Sequence, residues 1–160
     1  MRIMYDSVNP WAIPDAAQIV AGYVDGNFAW RGNAANRTGD WSRFPRSTRL
    51  VTISVTGNVP ADVLDVERGN QSLEPGKALA WLRWMQGSDR PEGQTMYANG
   101  STWPGLEREL EGHSFYRVLA DPTGAPHHWS EHPNAGVQYF WGPNGTYDRS
   151  VIWNDAWHRS

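Results

Sequence analysis

Cysteine is absent from this 160-residue chain, which excludes disulfides, a thiolate metal site and a cysteine nucleophile. No run approaches the roughly 18 apolar residues of a membrane span. The first residues, Met1 to Asp6, read as strand and lack the uninterrupted apolar core of a signal peptide, so delivery outside the cytoplasm would need another system. Lysine is nearly missing too: 13 of the 14 basic residues are Arg. They form no block, and with a net charge of −3 and a pI near 5.9 neither nucleic acid nor an anionic membrane is an expected partner. There is no Gly-rich phosphate loop after the first apolar run, where Ser7-Val8-Asn9-Pro10 stands instead. No Ser sits in a Gly-x-Ser-x-Gly elbow.

Aromatics are present in excess. The chain holds 10 Trp, 6 Tyr and 4 Phe at a mean hydropathy of −0.63. Small domains use a Trp or two for packing. Ten in so hydrophilic a chain point to some lining a surface cleft, and aromatic faces stack on the apolar faces of sugars. Carbohydrate is therefore a candidate ligand class. The competing reading is a core filled with aromatics where aliphatics are scarce.

Short apolar runs bounded by Pro, Gly and Asn predict strands at residues 2–8, 19–25, 49–55, 61–67, 94–98, 115–121 and 136–141, with an eighth at 150–153. Helical spacing predicts a helix from Pro75 to about Gln86, with Ala78, Trp81, Leu82 and Met85 on one face. A second helix follows a Ser101 or Thr102 cap, with Trp103, Leu106 and Leu110 sharing a face and Gly112 closing it. A turn or two near Asp15 and a short helix from Trp41 to Phe44, capped by Asp40, complete the helical pieces. Residues 26–40, rich in Gly and Asn and holding Phe28 and Trp30, are too long for a tight connection and form a candidate functional loop. Strands alternating with helices imply parallel pairing. The expectation is an α/β fold: a compact, partly stripped (β/α) barrel, with residues 1–160 as a single domain. An open doubly wound sheet is the alternative, and the missing phosphate loop argues against it. A standard barrel of this kind takes about 250 residues.

Such barrels present the C-terminal ends of their strands to the active site. Asp6, Asp25, Asp65, Glu67 and Asp121 all fall there. For any one of them the bland alternative is a loop-capping or solvated carboxylate. Asp65 and Glu67 are the sharpest pair: two residues apart on an interior strand, they face the same side and are costly to bury unpartnered. Paired carboxylates are what hydrolysis of a glycosidic bond requires. A carboxylate cluster also raises the pKa of its least solvated member, which would poise Glu67 as a general acid.

Leu64-Asp65-Val66-Glu67, a first strand ending in Asp6, Met96-Tyr97 on strand five and Val137-Gln138-Tyr139 on strand seven resemble glycoside hydrolase family 25, the lysozyme-like muramidases. The element order of nearly the whole chain agrees. Ala120 to His127 and Tyr147 to Val151 also resemble short family-25-like domains of actinobacteria and their phages. The resemblance implies a (β/α)5β3 barrel with Asp-x-Glu on strand four, cleaving the β-1,4 bond of peptidoglycan after N-acetylmuramic acid without a cofactor or metal. Glu67 would protonate the leaving oxygen. Asp65 and Asp6 would stabilise the oxocarbenium-like transition state, or position the substrate's N-acetyl group or a water. Tyr97 and Gln138 would contact sugar, and Tyr139, Asp25, Asp121 and Trp141 complete the candidate substrate-binding set. Two departures stand out: strand six ends in Asp121-Pro122, and strand seven continues into Phe140-Trp141-Gly142 rather than a small polar residue. The expected partners are peptidoglycan or a related cell-wall glycan and, if the domain is carried on a virion, other phage proteins. The expected setting is phage-borne or released by a partner pore, otherwise cytoplasmic. The alternative function is a catalytically idle glycan-binding or structural module of the same fold. A small intracellular enzyme acting on another sugar is a third.

His127, His128 and His132 share a Pro-rich loop and could join Glu131 in a metal site, although a solvated or stacking role is the commoner outcome. His113 and His158 read as surface residues. Asn36-Arg37-Thr38 matches a glycosylation acceptor.

Overall fold

Eight apolar runs pair in chain order, and the last closes onto the first. The computed structural model describes residues 1–87, 94–132, 135–142 and 146–153; His158 lies outside them. The strands are β1 (Arg2–Asp6), β2 (Ile19–Tyr23), β3 (Arg49–Ser54), β4 (Val63–Asp65), β5 (Thr95–Asn99), β6 (Tyr116–Ala120), β7 (Gly136–Trp141) and β8 (Asp148–Ile152). Strands β1 to β7 are parallel, each paired with the next. β8 runs antiparallel to both β7 and β1 and seals the barrel. Closure removes both sheet edges, and the open doubly wound alternative falls.

Alternation sorts the side chains. Met4, Ile19, Ala21, Val51, Ile53, Val63, Val118 and Ile152 form the core inside the barrel. Their strand neighbours Leu64, Met96, Ala98, Leu119, Val137 and Val151 point outward into a second core. That outer core lies beneath helices α1 (Lys77–Gln86) and α2 (Trp103–Glu109). Ala78, Trp81, Leu82 and Met85 are buried on α1, and Trp103, Leu106 and Leu110 on and after α2, as the spacing predicts. The result is a mixed α/β barrel.

The helical layer is thinner than expected. Among the described residues these two are the α-helices, and the expected pieces near Asp15 and at Trp41 to Phe44 form none. The β1–β2 link carries one 3-10 turn (Pro10–Ala12), the β2–β3 link two (Gly26–Phe28 and Gly39–Arg43), and the β3–β4 link no helical piece. Pro, Gly and Asn interrupt these links, and none repeats an apolar residue at helical spacing for more than a turn. The predicted Trp41–Phe44 helix is the second half of a 3-10 turn. Asp40 does not cap it: Thr38 holds the cap position, and the Asp40 carboxylate accepts a hydrogen bond from Arg31 N at 2.8 Å. Among the described residues no helix is long and apolar enough to cross a membrane.

Aromatic side chains cover the barrel where helices do not. Trp30, Trp41 and Phe44 pack with Ile13, Ala17 and Val20 over the outside of β2. The Trp30 ring lies 4.6 Å from Trp41 and 5.9 Å from Phe44, centroid to centroid, and its Nε1 donates to Ser7 O at 3.0 Å. Each such ring buries about 150–250 Å², so a few of them seal a surface that an amphipathic helix would otherwise cover. Trp30 thus belongs to the scaffold rather than to a functional loop. In the same stretch Arg37, the middle residue of the acceptor-like tripeptide, donates to the carbonyls of Phe44, Pro45, Arg46 and Thr48 and ties the β2–β3 link together.

Gly22 makes the Trp30 contact possible. A Cβ there would lie 2.6 Å from the Trp30 ring. Gly22→Ala should therefore lower stability by about 1–3 kcal/mol, the usual cost of overpacking. Denaturant titration checks this, and an unchanged midpoint would show that the ring can lift off the strand.

Candidate active site

The barrel gathers acids at one mouth. Asp6 ends β1, and Asp148 opens β8 directly opposite it in the antiparallel register. Cross-strand partners project to the same face, so the two carboxyls are neighbours. Asp65 ends β4. Val66 N continues the ladder by bonding Tyr97 O at 2.8 Å, and Val66 packs into the outer core. Alternation then returns Glu67 to the side of Asp65, one step beyond the strand. Asp6, Tyr23, Asp65 and Tyr97 line a small cavity inside this mouth, over a floor of Met4, Ile53, Val63 and Val118. Gln138 of β7 is buried beside them and accepts a hydrogen bond from the Tyr97 hydroxyl.

Burial and mutual repulsion raise the pKa of these groups. Burial pushes the Asp6 carboxyl up to about 8, with Asp148 and Glu67 adding to the effect. Burial likewise raises Asp65 well above the carboxylate range, helped by Glu67 and Asp6 and opposed by a hydrogen bond from Asn70. Glu67 is raised by burial, against a hydrogen bond from Asn99. Asp148 is raised by burial to about 6; the Gly142 N–H and the Gln138 side chain hold it down, and Glu67 lifts it. The Tyr23 and Tyr97 phenols are pushed well above 10.0, by burial first and then by the acids. Both therefore stay neutral hydrogen-bond donors. Asp65 is fixed from behind: its backbone carbonyl accepts from Ser72 Oγ and, at 3.3 Å, from Asn70 Nδ2. Its Oδ1 is buried without a hydrogen-bond partner.

The mouth thus brings together Asp6, Asp65, Glu67, Tyr97 and Gln138 from the sequence expectation. Trp141 stands at its rim, 63% exposed. Three candidates go elsewhere. Tyr139 points outward and is buried in the outer core, because it is odd-numbered on a strand whose even position, Gln138, faces in. Asp121 follows β6 on the outward side and pairs with His127 Nε2 at 2.9 Å. Asp25 caps the turn after β3: its carboxylate accepts from Ser54 Oγ at 2.5 Å, Val55 N at 2.7 Å and Thr56 Oγ1 at 2.5 Å. Asp25→Ala should cost about 1–3 kcal/mol of stability, since it strands a buried backbone donor, while glycan binding stays unchanged. A variant that folds as stably as the parent would contradict the capping role.

The histidines disperse. His127 serves Asp121, His132 Nε2 pairs with Glu107 at 2.9 Å, and His128 stacks on Trp153 at 3.7 Å. His113 is half-buried. Among the described residues no group of three His, Cys, Asp or Glu could hold a metal ion.

Asp148 is the site residue that sequence reasoning misses. Strand-end acids are sought at C-terminal ends, and Asp148 begins its strand. The signal that could find it is the short β7–β8 connection: a hairpin reverses direction and brings the first residue of β8 to the mouth.

Fold and site together define an eight-strand α/β barrel with an acid-lined mouth. No family model matches the chain, and no curated protein or solved structure matches it either.

Proposed function

We propose that the protein is a cell-wall glycan hydrolase of the muramidase kind, cleaving β-1,4 bonds of peptidoglycan by carboxylate acid–base chemistry. The observation that carries this reading is the meeting of Asp6, Asp65, Glu67 and Asp148, from β1, β4 and β8, at the C-terminal mouth of a barrel. The helix-poor shell is then a (β/α)5β3 barrel pared down to its strands, α1 and α2, with aromatics standing in for the lost helices.

Each group has a task in this chemistry. Glu67 sits highest in the mouth and is half-exposed, with a raised pKa. It donates its proton to the glycosidic oxygen as the C–O bond breaks, so that the leaving sugar departs as an alcohol. A water adds its oxygen to the anomeric carbon and its proton returns to the carboxylates. Asp148, with a pKa of about 6, is ionised at pH 7 and supplies negative charge for the oxocarbenium-like centre. Asp6, at about 8, keeps its proton, which relieves repulsion with Asp148 and leaves a hydroxyl to donate. Asp65 stands inside the mouth and completes the acid cluster beneath the sugar. Tyr97 and Gln138, locked to each other, orient the sugar. Delivery on a phage particle, or release through a partner pore, fits an enzyme whose substrate lies in the cell wall.

The test is incubation of the purified protein with actinobacterial peptidoglycan and a count of new reducing ends. Release supports the hydrolase. No release, with undiminished pull-down on the same wall material, places the protein among glycan-binding or structural modules instead.

A further inference from the structure

A bulge in β7 decides which aromatic faces the acids. Below it Val137 pairs with Val151 and Gln138 with Ser150; above it Phe140 pairs with Arg149 and Trp141 with Asp148. Unbroken alternation from Gln138 would turn Phe140 inward and Trp141 outward. The extra residue reverses both. Phe140 joins Tyr139 on the outside, where the Arg149 guanidinium sits 3.7 Å from its ring centroid. Trp141 takes the side of its cross-strand partner Asp148. A large apolar ring is thereby held in solvent, 63% exposed, beside an acid of the site.

A second ring flanks the acids from the other side. Phe28, 49% exposed, rests its edge on Tyr23 at 6.0 Å, and Tyr23 feels the charge of Asp6, Asp65, Asp148 and Glu67. Strand order β7–β8–β1–β2 therefore sets Trp141, Asp148, Asp6 and the Tyr23–Phe28 pair in sequence along one rim. Three strand spacings separate its ends, about 14 Å, which is the span of a short oligosaccharide rather than of one sugar. The cavity in the mouth is lined by acids, phenols and apolar side chains, with no Lys or Arg among them, so a polyanionic chain is disfavoured.

From this geometry we infer that Trp141 and Phe28 are stacking platforms for two neutral pyranose rings of one β-linked glycan chain, one on each side of the acids. The inference rests on the glycan reading above and assigns its chain-binding residues. Ring faces take up the apolar C–H faces of the sugars, and a glycosidic bond between the platforms lies over Asp6 and Asp148, within reach of Glu67.

Calorimetric titration of the Glu67→Gln protein with an oligosaccharide of β-1,4-linked N-acetylglucosamine tests this without turnover. Trp141→Ala and Phe28→Ala, each added to that background, should weaken binding about tenfold, and Trp141→Tyr should restore most of the loss. In the Glu67 parent, Trp141→Ala should raise KM and spare kcat. Both side chains are exposed, so melting temperatures should match the parent and exclude unfolding as the cause. Alanine variants that bind like their background, or binding of a polyuronate as tight as that of the neutral chain, overturn the platforms. Ala-sensitive binding without any new reducing ends upholds the platforms and removes the hydrolase. Hydrolysis with Ala-insensitive binding does the reverse.

Discussion

Glu67→Gln should lower the rate of reducing-end release about a thousandfold, within the range that a positioned general acid contributes, and leave glycan binding nearly intact. Gln keeps the size and the hydrogen bond with Asn99 but has no proton to transfer. The other acids cannot substitute. Asp6 is buried below the mouth and Asp65 is held by the 70–72 segment behind its strand. Asp148 is ionised at neutral pH, with its pKa at about 6. Gln also removes the repulsion that Glu67, whenever it ionises, exerts on Asp6, Asp65 and Asp148. The variant should therefore melt at the same temperature as the parent or above it. A fall in rate of less than tenfold would falsify the assignment of Glu67 as the acid.

Asp6→Asn should stabilise the folded protein at neutral and alkaline pH and impair hydrolysis. The Asp6 carboxyl has a pKa of about 8 when folded against 3.8 in the ordinary case. Between these values the folded chain holds a proton that the unfolded chain has released, so stability falls as pH rises through this window. Below about 4 both states are protonated and the group is silent. Asn never ionises, so the variant escapes the loss. Its advantage should be slight near pH 4 and grow by several kcal/mol towards pH 8, at about 1.4 kcal/mol for each pKa unit of this window. Asp148, raised to about 6 in part by its neighbours, has its own window between 3.8 and 6. Thermal melts at pH 4 and pH 8 give the comparison. An advantage that does not change with pH would mean that Asp6 is not the source of the strain. The trade of stability for a charged, half-desolvated site is a common one.

Much of this architecture was legible in the residues. β-Branched runs marked the strands to within about two residues, the usual uncertainty at element ends. α1 and α2 followed from apolar spacing, because Trp81, Leu82 and Met85 recur with the helical period. Asp65 and Glu67 could be placed on one side of a strand end from alternation alone, and Asp6 at the mouth from its position after an apolar run. Connections were harder to read. A stretch such as residues 26–40 contains Phe28, Trp30 and Asp40, and nothing local says that Trp30 turns onto Gly22 while Phe28 stays in solvent. The acids Asp25 and Asp121 looked equivalent to Asp6 by position. What separates them is the set of donors that the folded loops bring to Asp25 and the histidine that reaches Asp121.

The sequence by itself determined the strand count and the shared side of the two carboxylates at the end of β4, because these depend on backbone periodicities of a few residues. Only the tertiary structure decided that the sheet closes, that β8 runs backwards, and that β7 bulges. The first choice rests on pairing between residues about 150 positions apart. The second delivers Asp148 to the mouth, opposite Asp6. The third swaps the faces of Phe140 and Trp141. Each depends on hydrogen-bond register between strands, which a single strand's composition does not encode, and together they set which acids repel one another and which aromatic stands at the mouth.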